Sequence, residues 1–433
     1  VLPIETLAAP PELARSEPAW RLAAASFLIP GRLQREHGQR RLGTTAKWVA
    51  VAGWVLIAAS AAGLLLAPVA VLTIALSPAG APVIALTLGL FAAWWFVLGV
   101  HTAIVARRVS VSVKAASVAA LVMVTVGALL LSSAPPAAAT VTVLAARSAA
   151  AGFFTDAATP ETWQGRWNIA LLGGDADVDR DGQRIDSITV LSVDVDTGAS
   201  LLISLPRGLQ QIPLTDDSPL RSIWRSGVYD CGHACQLGFL YPYGEESWAE
   251  LYAGEIPPGS SAGVEALRDG LEGLLELPVH GSVVIDYPGL AAVVDALGGV
   301  VVDVRERLPI GGDENQVGVA GWIEPGEQRL SGVEAAWFAR SRMSTSEADR
   351  MERQQVLLTE LLTQVNPAEL ALHTGTIADA VRSDLPTGML PVLLRAADEV
   401  GSHGLEMLSF GDIDLEHPDV AAIRASVGDA LGE

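Results

Sequence analysis

The sequence predicts three membrane-spanning helices followed by one α/β (α+β) domain, a central mixed β-sheet flanked by helices. Three observations carry this expectation. Half of the 433 residues are hydrophobic and only 18% are charged, against about 25% charged in a typical soluble domain. Three long apolar runs lie close together in the first third of the chain. Behind them, short runs rich in Val and Ile alternate with stretches of helical spacing, the pattern of a sheet with helices packed on it.

Charge divides the chain at the same place. Residues 1–150 carry 11 basic and 4 acidic residues, whereas residues 151–433 carry 17 basic and 45 acidic ones. All basic residues of the rear part are Arg; Lys occurs only at Lys47 and Lys114. The overall balance of −21 argues against nucleic acid as a partner, because duplex binding rests on neutralising phosphates.

Residues 1–46 are polar, contain Pro and show no steady period, so a disordered tail is expected. The apolar runs then span Trp48–Leu76, Pro82–Ala106 and Ala115–Ala134. Each reaches the roughly 20 residues needed to cross a bilayer core, and in lipid the backbone must satisfy itself as helix. The first run is too long and too deep in the chain for a cleaved signal peptide. Arg32, Arg35, Arg40, Arg41 and Lys47 precede the first run, and Arg107, Arg108 and Lys114 separate the second from the third. The positive-inside rule places both segments in the cytoplasm and everything after Ala134 outside it. Pro135-Pro136 opens an expected linker over residues 135–160, with a short helix at Val141–Phe154, and the outer domain is expected over 161–433.

Within that domain, Asn168–Gly173 is an apolar run ending in Gly, read as a buried strand. Ser187–Val195 and Ser200–Leu205 flank Asp196-Thr197-Gly198, which is turn chemistry, so they form a hairpin. Val264–Leu275 has helical spacing. Ser282–Asp286 and Val300–Val304 read as strands with a helix at Gly289–Leu297 between them. Ser331–Arg340 and Arg350–Val365 read as amphipathic helices. A strand near Met407–Phe410 and a helix after Pro418 close the chain. No internal repeat is visible.

Four constellations could carry chemistry. Gly173-Gly174-Asp175 is followed by Asp177, Asp179, Asp181, Arg184 and Asp186. An acidic loop after a buried strand is either a hard-cation site or a solvated turn. Neither frame of a helix–loop–helix calcium site fits it. Arg207 ends a strand behind Pro206, facing either solvent or a ligand. Arg340 and Arg342 end one helix, and Arg350 and Gln354 share a face of the next, with Glu347, Asp349 and Arg353 nearby. Several guanidinium forks converging near a loop suit phosphate. Favourable charge at a helix C-terminus explains Arg340 and Arg342 equally well, but not Arg350 at a helix start. Cys231 and Cys235 are the two cysteines of the chain. In the expected oxidising compartment they read as a local disulfide; with His233 alone they are too few for zinc. The G-x-S-x-G match at Gly259–Gly263 follows Pro257-Pro258 and no strand, so it reads as a loop rather than a nucleophile elbow. There is no Walker A loop, dinucleotide fingerprint or H-E-x-x-H.

Together these residues resemble the LytR-CpsA-Psr family of cell-wall glycopolymer ligases. The resemblance runs through NIALLGGDAD (168–177), R-x-D-S at Arg184–Ser187 and ISLPR at Ile203–Arg207. It continues through LPVHGSVVIDYPGLAAVVDALGGVVVDV (277–304), LSGVEAAWFARSR (330–342) and SEADRMERQQ (346–355). It implies a metal-dependent phosphotransferase outside the membrane. Such an enzyme takes a glycopolymer from a polyprenyl-pyrophosphate carrier and joins it to a peptidoglycan hydroxyl through a phosphodiester. By position, Asp175 and Asp186 match carboxylates that bind Mg2+ (or Mn2+). Arg184, Arg207, Arg340, Arg342 and Arg350 match pyrophosphate-binding arginines, and Gln354 matches the family Gln. Glu347 stands where the family usually has Asp. Gly208 stands where Asp often follows the strand-end Pro-Arg, so any role of that Asp is absent. Three spans exceed the common single anchor. A hydrolase that releases the carrier without an acceptor sugar, and an inactive lipid-binding or regulatory protein, are the alternative readings.

Overall fold

The computed structural model describes residues 18–77, 79–109, 115–175, 184–254, 256–312, 317–341, 347–364 and 373–432. It divides into two units, Val1–Arg147 and Ser148–Glu433.

The front unit is helical: α1 (Ala19–Leu28), α2 (Arg32–Glu36), α3 (Arg40–Leu66), α4 (Pro68–Leu76), α5 (Gly80–Val109) and the start of α6 (Ala115–Phe153). Stretches of three of them, Arg40–Ser60, Gly80–Val109 and Ser117–Val141, are long and apolar enough to cross a membrane. Large apolar side chains such as Trp54, Leu90 and Leu131 project from them fully or largely exposed, as lipid-facing residues do. Three expectations are corrected. The tail expected to be disordered is helical over α1 and α2, because Ala19, Ala23 and Leu33 bury against Val105, Ala106 and Val109 of α5. Gln34 Nε2 donates to Thr102 Oγ1 at 2.8 Å in the same contact. The first apolar run is not one helix: Pro68 lacks an amide hydrogen, so α3 ends at Leu66 and α4 restarts with Pro68 at its first position. Pro135-Pro136 starts no linker but lies inside α6.

The rear unit begins before the expected boundary at Glu161. Phe153 and Phe154 pack into its core, and Thr155 N–H donates to the Leu385 carbonyl at 2.8 Å. Its centre is a six-stranded mixed sheet. Strands β1 (Arg166–Asp175), β2 (Arg184–Asp194) and β3 (Ser200–Leu205) form the antiparallel middle. Between β3 and the next sheet strand lie β4 (Ile212–Pro213), β5 (Val228–Tyr229), α7 (Leu240–Glu246) and α8 (Ala262–Leu275). Strand β6 (Gly281–Asp286) pairs parallel with β1, and α9 (Tyr287–Ala296) leaves its end. Then follow β7 (Val300–Val304), β8 (Leu308–Gly311), β9 (Val319–Ile323), β10 (Gly326–Leu330), α10 (Gly332–Arg340) and α11 (Glu347–Gln364). The chain ends with α12 (Thr374–Ala380), β11 (Val381–Ser383), α13 (Leu390–His403), β12 (Glu406–Ser409) and α14 (Val420–Leu431). Strand β11 closes one sheet edge against β6, and β12 closes the other against β3.

Period-two alternation builds both faces of the sheet. Ala170, Leu172, Val190, Leu201 and Ile203 face α8 and the α14 residues Ile423 and Val427. Ile169, Leu191, Val193 and Leu202 face the α13 residues Val392 and Ala396 and Leu358 of α11. A third cluster joins α9, β7, α10 and Leu357 of α11. Helix starts follow capping chemistry. Ser331 and Glu334 form a capping box on α10. Ser261 caps α8, which is the structural role of the serine-containing loop at Gly259–Gly263.

Candidate active site

The site is built where the end of β1 meets the start of β2, beside the end of β3 and the starts of α9 and α11. Asp175 ends β1 and pairs in register with Arg184 on β2. Two residues inward the register slips: Gly173 faces Ser187, but Gly174 faces Ile185. Asp186 is therefore the extra residue of a β-bulge. Bulges re-aim a side chain, and the burial pattern shows it: Ile185 joins the same core as Ile188, three positions away rather than two or four. Gly173 is required here, since a Cβ would lie 2.9 Å from Ser187 Cβ.

The re-aimed Asp186 carboxylate is 5% exposed and lies between two guanidinium groups. Arg207 Nη1 donates to Oδ1, and Arg350 Nη1 sits 3.3 Å from Oδ2. Arg350 is completely buried in the first turn of α11. A cation there opposes the helix dipole, and Asp186 supplies the compensating charge. Arg340 ends α10, where the dipole favours it, and its Nη2 lies 3.5 Å from Asp175 Oδ1. Its guanidinium also covers the rings of Tyr287 at 5.4 Å and Trp337 at 5.5 Å.

Arg207 is fixed through its backbone. Gly238 N–H donates to the Arg207 carbonyl and Leu237 N–H to the Leu209 carbonyl, both at 2.8 Å. That clamp follows directly on the Cys231–Cys235 disulfide, whose Cα atoms are 5.1 Å apart. A cleft of about 120 Å³ opens between these parts, lined among others by Asp175, Arg184, Asp186, Arg207, Gln236 and Phe239.

The structure thus brings together Asp175, Asp186, Arg184, Arg207, Arg340 and Arg350. Gln354 lies behind them, and its Nε2 donates to the Ala339 carbonyl at 3.2 Å, tying α10 to α11. Arg353 does the same from its Nε to the Phe338 carbonyl at 2.9 Å and from Nη2 to the Ser341 carbonyl. These bonds satisfy carbonyls that the end of α10 leaves open; burial lowers the Arg353 pKa. Glu347 begins α11, but its side chain, Arg342, and the aspartates Asp177, Asp179 and Asp181 lie outside the described residues. Sequence reasoning passed over Tyr287. It follows the α9 N-cap Asp286, and burial pushes its phenol up to about 12, with Asp186 and Asp175 adding to the shift and Arg350 and Arg340 opposing it. An aromatic residue at a strand-to-helix junction within the Ile-Asp-Tyr-Pro stretch was the available signal.

Among the described residues no three His, Cys, Asp or Glu side chains gather as a metal cage. Two carboxylates at neighbouring strand ends suit a different design. Mg2+ commonly takes one or two carboxylates and completes its shell with water and substrate phosphate oxygens. The oxygen-only donor set of Asp175 and Asp186 fits that chemistry.

The LytR_cpsA_psr family model matches residues 142–411, and the chain belongs to that family. It is 23% identical over 236 residues to the polyisoprenyl-teichoic acid–peptidoglycan teichoic acid transferase TagU of Halalkalibacterium halodurans, covering 54% of this chain and 64% of that one. It is 27% identical over 212 residues to the cell wall biosynthesis protein LcpA of Corynebacterium glutamicum, covering 47% of this chain and 38% of that one. Its match to the biofilm regulatory protein A of Streptococcus mutans spans 39% of that protein at 25% identity. The chain thus covers less than two thirds of the length of these curated relatives. Among solved structures, TagV of Bacillus subtilis superposes with a TM-score of 0.45 at 18% identity, over 62% of this chain and 98% of that one. A LytR-Csp2A-Psr enzyme from Actinomyces oris gives 0.43 at 20% identity, over 65% and 95%.

Proposed function

We propose that the protein is a membrane-anchored phosphotransferase that moves a glycopolymer from a polyprenyl-pyrophosphate carrier to peptidoglycan through a phosphodiester bond. The observation that carries this reading is the convergence of Arg207 and Arg350 on the two oxygens of Asp186, with Arg340 on Asp175 alongside. Four arginines and two aspartates make a local cationic centre within a part of the chain that is otherwise strongly acidic. A polyanion is held there only if such a centre exists. Arg suits the task better than Lys, because its fork meets two phosphate oxygens at once. The relatives named as teichoic acid transferases support the same class of donor and acceptor.

In this reading Arg207, Arg340 and Arg350 grip the pyrophosphate and stabilise charge as it develops. The acceptor hydroxyl oxygen bonds to the phosphorus that carries the glycan, and its proton passes to the departing phosphate. The bridging P–O bond breaks, and polyprenyl phosphate leaves. Mg2+ or Mn2+ held by Asp175 and Asp186 would neutralise phosphate charge when bound. The three apolar helices support a domain held at the surface where a lipid-linked donor resides, and the Arg/Lys flanks support a cleft on the outer side.

The test uses the full chain in lipid with a polyprenyl-pyrophosphate glycan and peptidoglycan fragments. Arg207→Ala and Asp186→Ala should each reduce transfer by about 10²–10³-fold, the usual effect of removing one such charge stabiliser. Circular dichroism should show the fold retained. Full activity in either variant refutes the site. Release of polyprenyl phosphate at equal rate with and without peptidoglycan fragments would make the protein a hydrolase instead.

A further inference from the structure

Tyr287 is placed by the sheet beside the site's two carboxylates. Strand β6 runs parallel to β1 with Asp286 opposite Gly174, so Tyr287 follows at the level of Asp175. Its ring lies under the Arg340 guanidinium. Its hydroxyl oxygen is buried, and among the described residues no group hydrogen-bonds to it. Buried hydroxyls are normally paired, and an unpaired one carries a desolvation penalty. The neighbours that act electrostatically on this phenol are Asp186, Arg350, Asp175 and Arg340; the two carboxylates among them line the cleft, and the two guanidinium groups pair with those carboxylates. A protein that leaves a donor without a partner inside such a frame has a place for an acceptor that arrives with the ligand.

We propose that the Tyr287 hydroxyl donates a hydrogen bond to a non-bridging oxygen of the pyrophosphate held by Arg207, Arg340 and Arg350. The inference rests on the reading of the cleft as a pyrophosphate site. It adds a neutral donor to a set of cations. A phenol is protonated at neutral pH and so has a hydrogen to offer the ligand. The ring's contact with Arg340 holds the guanidinium and the hydroxyl in a fixed relation, so both can address one phosphoryl group.

Tyr287→Phe isolates the hydroxyl, because it keeps the ring under Arg340. The full chain in detergent is titrated calorimetrically with farnesyl pyrophosphate and Mg2+, and its thermal midpoint is measured without ligand. The expected result is binding about tenfold weaker than wild type, with a midpoint equal to or above the wild-type value. Loss of an unpaired hydroxyl orphans nothing, so a merely structural role would leave the affinity unchanged. Tyr287→Phe binding within twofold of wild type, while Arg207→Ala binds far more weakly, overturns the role of Tyr287 and leaves the pyrophosphate site standing. If the wild type itself does not bind farnesyl pyrophosphate, the pyrophosphate reading fails and this inference fails with it.

Discussion

Arg350 stands where a helix tolerates a cation least, and it is completely buried. The sequence already marked it as a misfit, since the dipole of α11 opposes positive charge in its first turn. The structure resolves the misfit through Asp186, 3.3 Å away on β2. The pair is therefore costly to break. Arg350→Ala leaves the Asp186 carboxylate buried with one cation fewer, and a loss of about 3 kcal/mol in unfolding free energy is expected. Arg350→Lys keeps the charge but not the planar fork, and its compact ammonium cannot reproduce the geometry. It should recover part of the stability and little of the transfer activity. Denaturant unfolding and transfer assays on the two variants separate the contributions. A denaturant midpoint for Arg350→Ala equal to that of wild type would show that the buried pair contributes nothing.

At the level of elements, the end of β3 depends on a short segment that never enters the sheet. Gly238 packs against that strand's exit so closely that a Cβ would lie 2.9 Å from the Ile185 carbonyl oxygen and 3.1 Å from Arg207 Cβ. Gly238→Ala should push Arg207 away from Asp186. A displacement of the order of 1 Å costs about 10²-fold in rate, whereas stability should fall by about 1–3 kcal/mol. Gly411→Ala serves as the control, because its Cβ would meet only Ser409 Oγ at 3.8 Å. Rates and melting points of both variants test this, and unchanged transfer in Gly238→Ala would refute the clamp. The strands β1, β2, β3, β6 and β7 and the helices α8 to α11 were legible because their periodicity and turn residues act locally. The bulge at Asp186 was not, since a two-against-one count exists only once β1 is beside β2. Strand β8 contains Pro309 and ends in Gly311, a composition that reads as loop, yet among the described residues it pairs with β9 alone, and such an edge position accepts proline. Likewise α1 and α2 lacked a period of their own and became helices through contact with α5. In the site, charge made the arginines and aspartates conspicuous, while Tyr287 looked like any aromatic residue at a helix start.

For the whole molecule, a transferase acting on peptidoglycan requires the acidic rear part to lie on the outer side of the bilayer. The rear carries 45 of the chain's 49 acidic residues, and 8 of the front's 11 basic residues flank the apolar runs at Arg32–Lys47 and Arg107–Lys114. Lys and Arg near short loops set orientation, whereas acidic residues contribute little. If all three candidate helices cross, an odd number of spans separates these flanks from the cleft. Both native cysteines are joined as a disulfide, so single cysteines can report topology. Asp398→Cys lies on the exposed side of α13, and Ser112→Cys lies between the second and third spans. A membrane-impermeant maleimide should label Asp398→Cys on intact cells and Ser112→Cys only after permeabilisation. The reverse pattern would place the arginine cleft in the cytosol, away from peptidoglycan. Labelling of both positions on intact cells would mean that the chain crosses the bilayer an even number of times between them. Either result removes the acceptor from reach of Arg207 and Arg350 or the basic loop from its expected side, and the transferase reading depends on neither occurring.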